Sequence, residues 1–460
     1  MLLVIVALLQ LSAFSISPKS NNVWVFASHA CLDFNSGNPV CISGKPLFTY
    51  DNSASICDDQ GNLLFYTNGE TVWDRRDSIM QNGTGLFGSV TGGQTAVIVP
   101  VPDNEGRYYI FTVPEFGSGG MYYSIVELNQ NGGYGAITSK NNILINSSTE
   151  KLIAYFDYVN FSFWIIAHEY STANFYCYKV DNNGLDTIPV ISNVGAPNSG
   201  GSYGYDHGAM GQLAITKDGA HLANALEYDG KIQLFDFDLQ TGIISNPLTL
   251  TNYSNAWGLA FSPDGSKLYS TQWTYSAVYQ WDLTNYSQTA IQSSKYLIGN
   301  ASGSGGYNAG YMQLAPDGKI YISRVYLSTL ATISSPNSAG TACNYNASGL
   351  PLTSGSLIAG MNNSINFSDQ FIGIDEVNEK AQELIIFPNP SSEYVMFKNP
   401  FGINEEFKVG VYDNTGKLLK AQINLFNDEY RIDVSKLPKG IYFTTVMSKG
   451  KKAIGKFIVE

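Results

Sequence analysis

Short runs of alternating hydrophobic and polar residues recur along most of the chain, and polar turns separate them. Six segments share one arrangement, in which a tight turn joins two such runs: residues 53–69, 96–113, 152–170, 211–228, 257–273 and 311–327. Their turns are centred on Gly61, Gly106, Phe161, Gly219, Gly265 and Gly318. Asp-Gly and similar pairs supply the positive φ angle that a reversal between two strands needs. The pattern therefore predicts a β-hairpin in each segment.

A third run follows the hairpin in four of these units, at residues 121–128, 174–181, 231–238 and 277–283. Consecutive turns lie 45 to 58 residues apart, with a mean of about 51. Three or four antiparallel strands in every ~50 residues are typical of the blades of a β-propeller. Residues 22–367 are long enough for about seven units at that spacing. We therefore predict an all-β fold with a seven-bladed β-propeller, and a six-bladed ring is the alternative.

Two strand-like pieces, residues 23–34 and 358–367, lie outside the six hairpin segments. We expect them to pair and form the seventh blade, because an open ring would leave exposed sheet edges. The acidic stretch 368–383 lacks alternation and is predicted to be a linker. About seven short strand-like pieces then follow in residues 384–460, separated by Pro, Asn and Gly turns. Their number and spacing favour a small Ig-like β-sandwich.

The composition excludes several classes of protein and supports this division. Only 14% of the residues are charged, too few to solvate the helices of a coiled coil, and 44% are hydrophobic, which argues against disorder. The net charge of −12 leaves no basic face for a nucleic acid. Residues 375–460 hold 12 of the 26 basic residues and are neutral overall. This shift in charge predicts a domain boundary near residue 375.

The N-terminal residues 1–17 are apolar apart from Gln10 and small hydroxyl residues, and Pro18 ends the run. A membrane span needs ~20 apolar residues, so we predict a secretory signal peptide, although no Lys or Arg precedes the apolar run. No membrane span is expected after its cleavage. Export makes a disulfide between two of Cys31, Cys41 and Cys57 a reasonable expectation.

The C-terminal residues carry a set of motifs in a fixed order. These are Phe387-Pro388-Asn389-Pro390, Val411 to Lys417, Leu437 to Tyr442, and Lys456 to Val459. The order resembles the type A C-terminal sorting domain of the type IX (Por) secretion system of Bacteroidota. The resemblance assigns the sorting motif to Pro388, Asn389, Pro390, Gly416, Gly440, Tyr442 and Lys456. It implies Sec export, the type IX machinery as a partner, and a protein that is secreted or anchored on the outer face of the outer membrane.

The body of the chain resembles the propeller regions of surface proteins from the same bacteria, some of them associated with gliding motility. The likeness is carried by Trp24 to Phe26, Gly61 to Thr67, Ser148 to Leu152, and Ser262 to Leu268. The last of these motifs is shared by many propellers, lactonase-like ones among them. Because these proteins are poorly defined in function, the resemblance implies a surface location but no particular chemistry.

Four residues at predicted strand ends are the candidate ligand-binding site: His168, Glu169, Asp206 and His207. Strand ends converge on the central channel of a propeller, so these side chains would line one pocket. Histidine and acidic residues are also ordinary hydrogen-bonding groups at such ends. The sequence has no His-Glu-x-x-His motif and no zinc or calcium spacing. It therefore predicts no metal and no cofactor.

The leading functional hypothesis is a monomeric, non-enzymatic surface or extracellular propeller that binds a glycan or a protein ligand through one face. Segments rich in Gly, Ser, Tyr and Asn at 198–208 and 300–310 are typical of loops over such a face. The alternative is a secreted hydrolase, lyase or lactonase-like enzyme with its site in the channel. A structural component of a cell-surface layer or gliding apparatus is a third hypothesis.

Overall fold

The structure of the protein is a computed structural model, and the chain in it is nearly all β. It describes residues 16–200, 207–251, 253–302, 308–356, 359–368, 382–401, 407–413, 418–419, 421, 423–426, 429–448 and 451–460. The chain divides into two compact units: Met1–Asp157 with Phe161–Ser368, and Tyr158–Asn160 with Asp369–Glu460. The predicted signal peptide and linker lie mostly outside the described residues.

Two sheets contain the first eleven strands. The first sheet has three antiparallel strands: Val23–Phe26 (β1), Ala30–Asp33 (β2) and Val40–Cys41 (β3). The second has eight strands: Ala54–Cys57 (β4), Leu63–Thr67 (β5), Thr71–Asp74 (β6), Ile79–Thr84 (β7), Ala96–Pro100 (β8), Arg107–Thr112 (β9), Met121–Glu127 (β10) and Ala136–Ile145 (β11). A parallel bridge between Gln81 and Ala136 joins its halves, β4–β7 and β8–β11, and each half is an antiparallel meander.

Four further sheets complete the first unit. The third sheet holds Ser148–Asp157 (β12), Ser162–Glu169 (β13), Asn174–Asp181 (β14), Gly184–Leu185 (β15), Val190–Asn193 (β16) and the late strand Asn366–Phe367 (β29). Three four-stranded meanders follow. Their strands are Leu213–Ile215 (β17), His221–Leu226 (β18), Lys231–Phe237 (β19), Ile244–Leu250 (β20), Ala256–Phe261 (β21), Lys267–Gln272 (β22), Ala277–Asp282 (β23), Tyr296–Asn300 (β24), Ala309–Leu314 (β25), Ile320–Arg324 (β26), Thr329–Ile333 (β27) and Tyr345–Pro351 (β28).

Helical structure is confined to short connections. The described residues contain one α-helix, Gln288–Ser293 (α1), between β23 and β24. Single 3-10 turns lie at Pro18–Asn21, Asn131–Gly133, His207–Ala209 and Gly340–Cys343. None of the described helices is long and apolar enough to cross a membrane.

The predicted hairpins are confirmed. All six turn positions adopt a positive φ angle, from 48° at Phe161 to 92° at Gly106. Five of the six are glycines, which reach that conformation at no steric cost, and Phe161 is the exception. The predicted third runs are also strands, namely β10, β14, β19 and β23. Turn chemistry and period-two alternation therefore located the meanders correctly.

Neighbouring sheets pack face to face through apolar side chains. The third sheet and the β17–β20 meander share a buried cluster that includes Tyr155, Trp164 and Phe235. The first strand of each meander contacts the first strand of the next, from β4 through β8, β12, β17 and β21 to β25. The aromatic rings of Trp24 on β1 and Tyr321 on β26 lie 6.1 Å apart, which brings the first and last sheets together. The first unit thus has a β-propeller-like fold.

Residues 359–368 run along the inner strands, which corrects the expected pairing of 23–34 with 358–367. β1 pairs with β2, and no ladder joins it to the described residues 359–367. Instead, the backbone N–H of Asn363 donates to Ser53 O at 2.7 Å, and β29 pairs in parallel with β12. The N–H of Ser368 donates to Phe156 O at 3.1 Å. On that edge of β12 the backbone groups have no neighbouring strand of their own sheet. Residues 366–368 supply the hydrogen-bond partners that these groups need.

Buried amide side chains link the inner strands of different sheets. Gln94, just before β8, donates from Nε2 to Leu213 O at 3.0 Å and accepts from Leu213 N at 2.8 Å. Gln212 donates to Met312 O at 2.8 Å and accepts from Leu259 N at 2.9 Å. These bonds satisfy backbone groups of β17, β21 and β25 that no neighbouring strand reaches.

The second unit contains two sheets around one apolar cluster. One holds Gln382–Glu383 (β30), Lys408–Asp413 (β32), Leu418–Leu419 (β33), Gly440–Ser448 (β36) and Lys451–Val459 (β37), and the other holds Tyr394–Phe397 (β31), Ile423–Phe426 (β34) and Glu429–Asp433 (β35). Val395, Phe397, Ile432, Val446 and Phe457 are fully buried between them. Most of the strand-like pieces predicted in residues 384–460 are therefore strands.

The disulfide expected among Cys31, Cys41 and Cys57 is absent, and that expectation was wrong. All five cysteines of the chain are free thiols. Cys31 and Cys57 are buried in one apolar cluster with Tyr66, where they fill space as small hydrophobic side chains. Burial raises the pKa of both thiols to about 12, so neither is a thiolate at neutral pH.

Candidate functional site

His168 is a fully buried residue near the end of β13. Its Nδ1 lies 2.8 Å from Glu169 O and donates to it, while Nε2 has no partner among the described residues. The imidazole meets the Phe175 ring edge to face, with centroids 4.5 Å apart. Burial, aided by the charge of Lys151, lowers the pKa of His168 to about 3. The side chain is therefore a neutral imidazole at physiological pH.

Glu169 organises the turn that follows β13. Its Oε2 accepts hydrogen bonds from Thr172 Oγ1 at 3.0 Å and from Asn174 Nδ2 at 2.8 Å, and its Oε1 accepts one from Tyr176 OH at 3.4 Å. These three donors lie in the turn and in the strand that follows it, and they occupy most of the hydrogen-bonding capacity of the carboxylate. These contacts give Glu169 a structural task, and its predicted role in a ligand site stays a prediction.

His207 contacts a different acid. Its Nδ1 lies 3.2 Å from Glu227 Oε2, and Glu227 Oε1 accepts from Asn255 Nδ2 at 3.0 Å. Glu227 itself is almost completely buried, whereas about a third of the His207 side chain is exposed. Asp206 lies outside the described residues. The structure thus places His168 with Glu169 in one set of contacts and His207 with Glu227 in another.

Two adjacent charged residues on β12, Glu150 and Lys151, were not predicted as site residues. Glu150 is buried and accepts from the backbone N–H groups of Gly93 and Phe116, both at 2.7 Å. Burial raises the pKa of its carboxyl to about 7, because these two donors and Lys151 only partly offset the desolvation. Glu150 thereby ties β12 to the preceding meander.

Lys151 points the other way, since successive strand residues face opposite sides of a sheet. Its Nζ donates to Asn224 Oδ1 at 2.8 Å and to Ala225 O at 2.5 Å, both on β18 of the following meander. Burial lowers the pKa of the ammonium to about 7, and the carboxylates of Glu150 and Glu227 oppose that effect. The pair therefore holds β12 to both of its neighbours.

Tyr311 lies at the centre of several carboxylates. Its side chain is fully buried, and its hydroxyl has no hydrogen-bond partner among the described residues. A Cβ atom added to Gly93 would lie 2.2 Å from that hydroxyl and 3.1 Å from Glu150 Oε2, so Gly93 leaves the space between them open. Burial raises the pKa of Tyr311 well above its usual value, and the negative charges of Asp51, Glu150 and Glu227 add to the effect.

We call Asp51, Glu115, Glu150, Glu227 and Tyr311 the acidic cluster. Asp51 is close enough to Glu150 and Glu115 for their charges to raise its pKa well above the usual range, after burial as the main cause. Ser89 Oγ donates to Glu115 Oε2 at 3.0 Å. The members come from five different parts of the ring and meet at the end where the first strand of each meander begins, which we call the loop face.

The acidic cluster is suited to binding positive charge or hydrogen-bond donors. Carboxylates with few cationic partners in a partly buried setting gain most from a charged donor. The described residues contain no group of three His, Cys, Asp or Glu side chains arranged to hold a metal ion. The sequence signal that could have revealed the cluster is the charged pair Glu150-Lys151 inside a strand whose ten residues are all buried.

The fold and the C-terminal unit together define a β-propeller-like all-β protein with a secretion signal at its end. Residues 385–460 match the family described as the secretion system C-terminal sorting domain. This match confirms the type IX sorting domain that the motif order indicated, and it implies that the protein is secreted or attached to the cell surface. Pro388, Asn389, Pro390, Gly440, Tyr442 and Lys456 lie within the described part of that domain, and Gly416 lies outside it.

Solved structures with similar folds show low identity to the chain. A candidate 6-phosphogluconolactonase from Bacteroides uniformis has 13% identity and a TM-score of 0.43, covering 68% of this chain and 92% of its own. One from Bacteroides fragilis has 12% identity and a TM-score of 0.40, covering 95% and 98%. A Lactobacillus plantarum protein has 14% identity and a TM-score of 0.38, covering 78% and 90%. At these values the likenesses carry no argument about activity. No curated protein matches the chain.

Proposed function

We propose that this protein is an exported binding protein that holds a positively charged segment of a protein partner at the acidic cluster. The sorting domain provides its delivery by the type IX system to the outside of the cell, where it is released or anchored on the outer membrane. The observation that carries the proposal is the buried hydroxyl of Tyr311, which lacks a partner among the described residues and interacts electrostatically with three carboxylates.

The charge and exposure of the cluster support this choice of ligand. Glu115 is only half-buried, and about a third of the His207 side chain beside Glu227 is exposed, so a ligand can approach the cluster from the loop face. The whole chain carries a net charge of −12, which favours the approach of a basic segment at low salt. A lysine or arginine side chain would donate hydrogen bonds to the carboxylates. It would also donate to the hydroxyl oxygen of Tyr311, which would then have a partner. His168, Glu169, Asp206 and His207 remain part of the proposed binding face, with His207 joined to the cluster through Glu227.

The architecture that presents this face is proposed to be seven blades and a small Ig-like sandwich. The blades would be β1–β3, β4–β7, β8–β11, β12–β16, β17–β20, β21–β24 and β25–β28. One monomer would then contain the complete site, on a body spanning 22–367 and followed by the sorting domain at 384–460.

The proposal is tested by titrating the full-length protein with a tetralysine peptide, and with tetraserine as the uncharged reference. We expect tetralysine to bind and its affinity to fall as salt rises. Glu227→Gln and Tyr311→Phe should each weaken binding about tenfold, because each removes a partner of a buried charged donor. Asp59→Asn, which removes an exposed carboxylate in the first hairpin turn, is the matched control. Equal binding of both peptides, or unchanged affinity in Glu227→Gln, would refute the proposal.

A secreted hydrolase, lyase or lactonase-like enzyme in the channel is the alternative. It requires turnover of a lactone or glycoside that is lost in His168→Gln and His207→Gln. A binding protein has no such turnover in any variant, so the two functions are distinguished by one assay on the same proteins.

A further inference from the structure

A second, open cleft lies on the first unit beside the turn between β5 and β6. Its volume is about 490 Å³, within the range of ~300–1,000 Å³ that is typical of small-molecule sites. It is lined by Glu70, Thr71, Phe87, Pro114, Ser118 and Tyr122, with glycines between them. The cleft shares no lining residue with the acidic cluster, so the following argument is independent of the proposed function.

An exposed aromatic pair forms one side of the cleft. Phe87 is 53% exposed, a large fraction for a phenylalanine, and its ring meets that of Tyr122 edge to face with centroids 5.2 Å apart. Pro114 lies near the same side, with its Cγ 3.0 Å from the position of a Cβ added to Gly119. Water cannot solvate this apolar surface well, so the surface favours a ligand with an apolar face of its own.

The loop that carries Phe87 is held in place by specific contacts. The N–H of Phe87 donates to Asn141 Oδ1 at 3.0 Å, and Asn141 Nδ2 donates to Gly85 O at 2.8 Å. Gly88 donates to Gly69 O at 3.0 Å, and a Cβ on Gly88 would lie 2.6 Å from that oxygen. The exposed ring is therefore presented in a fixed position, which reduces the entropy lost on binding.

Polar groups on the rest of the cleft are available to a ligand. The hydroxyl of Tyr122 has no hydrogen-bond partner among the described residues. Glu70 uses Oε1 to accept from Val90 N at 3.2 Å, and this bond orients its carboxylate beside the cleft. Thr71 adds a hydroxyl group to the lining. Apolar rings on one side and a few fixed hydrogen-bonding groups on the other are what a small polyhydroxylated ligand needs.

We propose that this cleft binds a short, uncharged oligosaccharide. A pyranose ring has an apolar face of C–H groups, which would stack on Phe87, and hydroxyl groups at its edge, which would bond to Tyr122, Thr71 and Glu70. The carboxylate of Glu70 and the negative charge of the chain disfavour uronic, sulfated or phosphorylated sugars. A purely apolar ligand is disfavoured because it would leave these polar groups without partners.

The test uses the full-length protein and a panel of defined tetrasaccharides. Neutral probes are cellotetraose, laminaritetraose and mannotetraose, and tetragalacturonate is the acidic probe. We expect at least one neutral probe to bind, measured by calorimetry, and tetragalacturonate not to bind. Phe87→Ala should weaken the affinity for the bound probe about tenfold or more through loss of the stacking surface. Tyr122→Phe keeps the ring and removes only the hydroxyl, so we expect a smaller loss of a fewfold.

Tyr275→Ala is the matched control, because Tyr275 is 61% exposed and lies outside the cleft. Its affinity for the probe should equal that of the unchanged protein. Binding of tetragalacturonate with no neutral probe bound, absence of any binding, or full affinity in Phe87→Ala would each overturn the proposal. Circular dichroism and melting temperature of each variant establish that it is folded. Glu227→Gln should leave oligosaccharide binding unchanged.

Discussion

At the scale of single residues, buried polar side chains of β12 and its surroundings define how the sheets are joined. Glu150 and Lys151 are neighbours in sequence, yet they reach to opposite sheets and bond to backbone groups there. Burying two charges costs several kcal/mol each unless both are well paired, so such residues are retained only where they make several hydrogen bonds. Both have them, and this explains why an otherwise apolar strand contains two charged residues.

His168 should make the protein sensitive to acid. Its folded-state pKa of about 3 lies below the ordinary value of 6.5, so only the unfolded chain takes up this proton as the pH falls between those values. The stability that results is complete above pH 6.5 and is lost progressively below it. We expect His168→Phe to reduce the loss of unfolding free energy between pH 7 and pH 4 by about 3 kcal/mol. Urea denaturation at the two pH values measures this difference.

The control for that experiment is His221→Phe, because His221 lies beside Asp236 and keeps part of its surface in solvent. This variant should retain the acid sensitivity of the unchanged protein. An equal loss of stability in His168→Phe and the unchanged protein would show that His168 accepts a proton in the folded state.

At the scale of elements, the segment 359–368 lies along the inner strands of several sheets, although only Asn366–Phe367 in it is a strand. Asn363 Nδ2 donates to Ala96 O and to Leu152 O, both at 2.9 Å, and so joins β8 and β12. Asn362 Oδ1 accepts from Ser55 Oγ at 2.8 Å across 307 residues of sequence. Side-chain amides in this segment replace the regular ladder that two parallel strands would make.

Replacement of Asn363 by leucine should destabilise the first unit. The substitution keeps the approximate volume but leaves two buried carbonyl groups without their donor, which costs about 2–4 kcal/mol. We expect a corresponding fall in the urea midpoint with an unchanged slope. Asn129→Leu, at an exposed position between β10 and β11, should have little effect. A loss of less than about 0.5 kcal/mol would mean that water replaces the amide at those carbonyls.

At the scale of the whole molecule, the sorting domain determines where the protein is found. Deletion of 384–460 should leave the body inside the cell envelope, because the signal that the type IX machinery recognises is then missing. Fractionation of cells and detection of the body with an antibody measure this outcome. Deletion of the exposed Asn182-Asn183 turn residues is a control that should not change export. Undiminished appearance of the truncated protein outside the cell would contradict the assignment.

The sequence predicted the elements better than it predicted the site. The hairpins and the sorting domain could be predicted because glycine turns, alternation and short motifs are local features of the sequence. The inner position of 359–368 could not be predicted from the sequence, since residues such as Asn362 and Asn363 find their partners only after the sheets have assembled. For the same reason the acidic cluster was missed: Asp51, Glu150 and Tyr311 are far apart in sequence and meet only in the folded ring. The sequence did indicate His168 and Glu169 as candidates. Their side chains, however, make their hydrogen bonds with residues close to them in sequence and not with the other predicted site residues.

The late arrival of residues 359–368 has a consequence for the order of biogenesis. Strands β4, β8 and β12 can form as they emerge, but the bonds from Asn362 and Asn363 must wait until almost the entire body has been synthesised. Contacts of such long range close slowly. Until residues 359–368 are in place, the carbonyl groups of Ala96 and Leu152 lack the donor that joins β8 to β12, so these two inner strands are tied together only in the last stage of folding of the body.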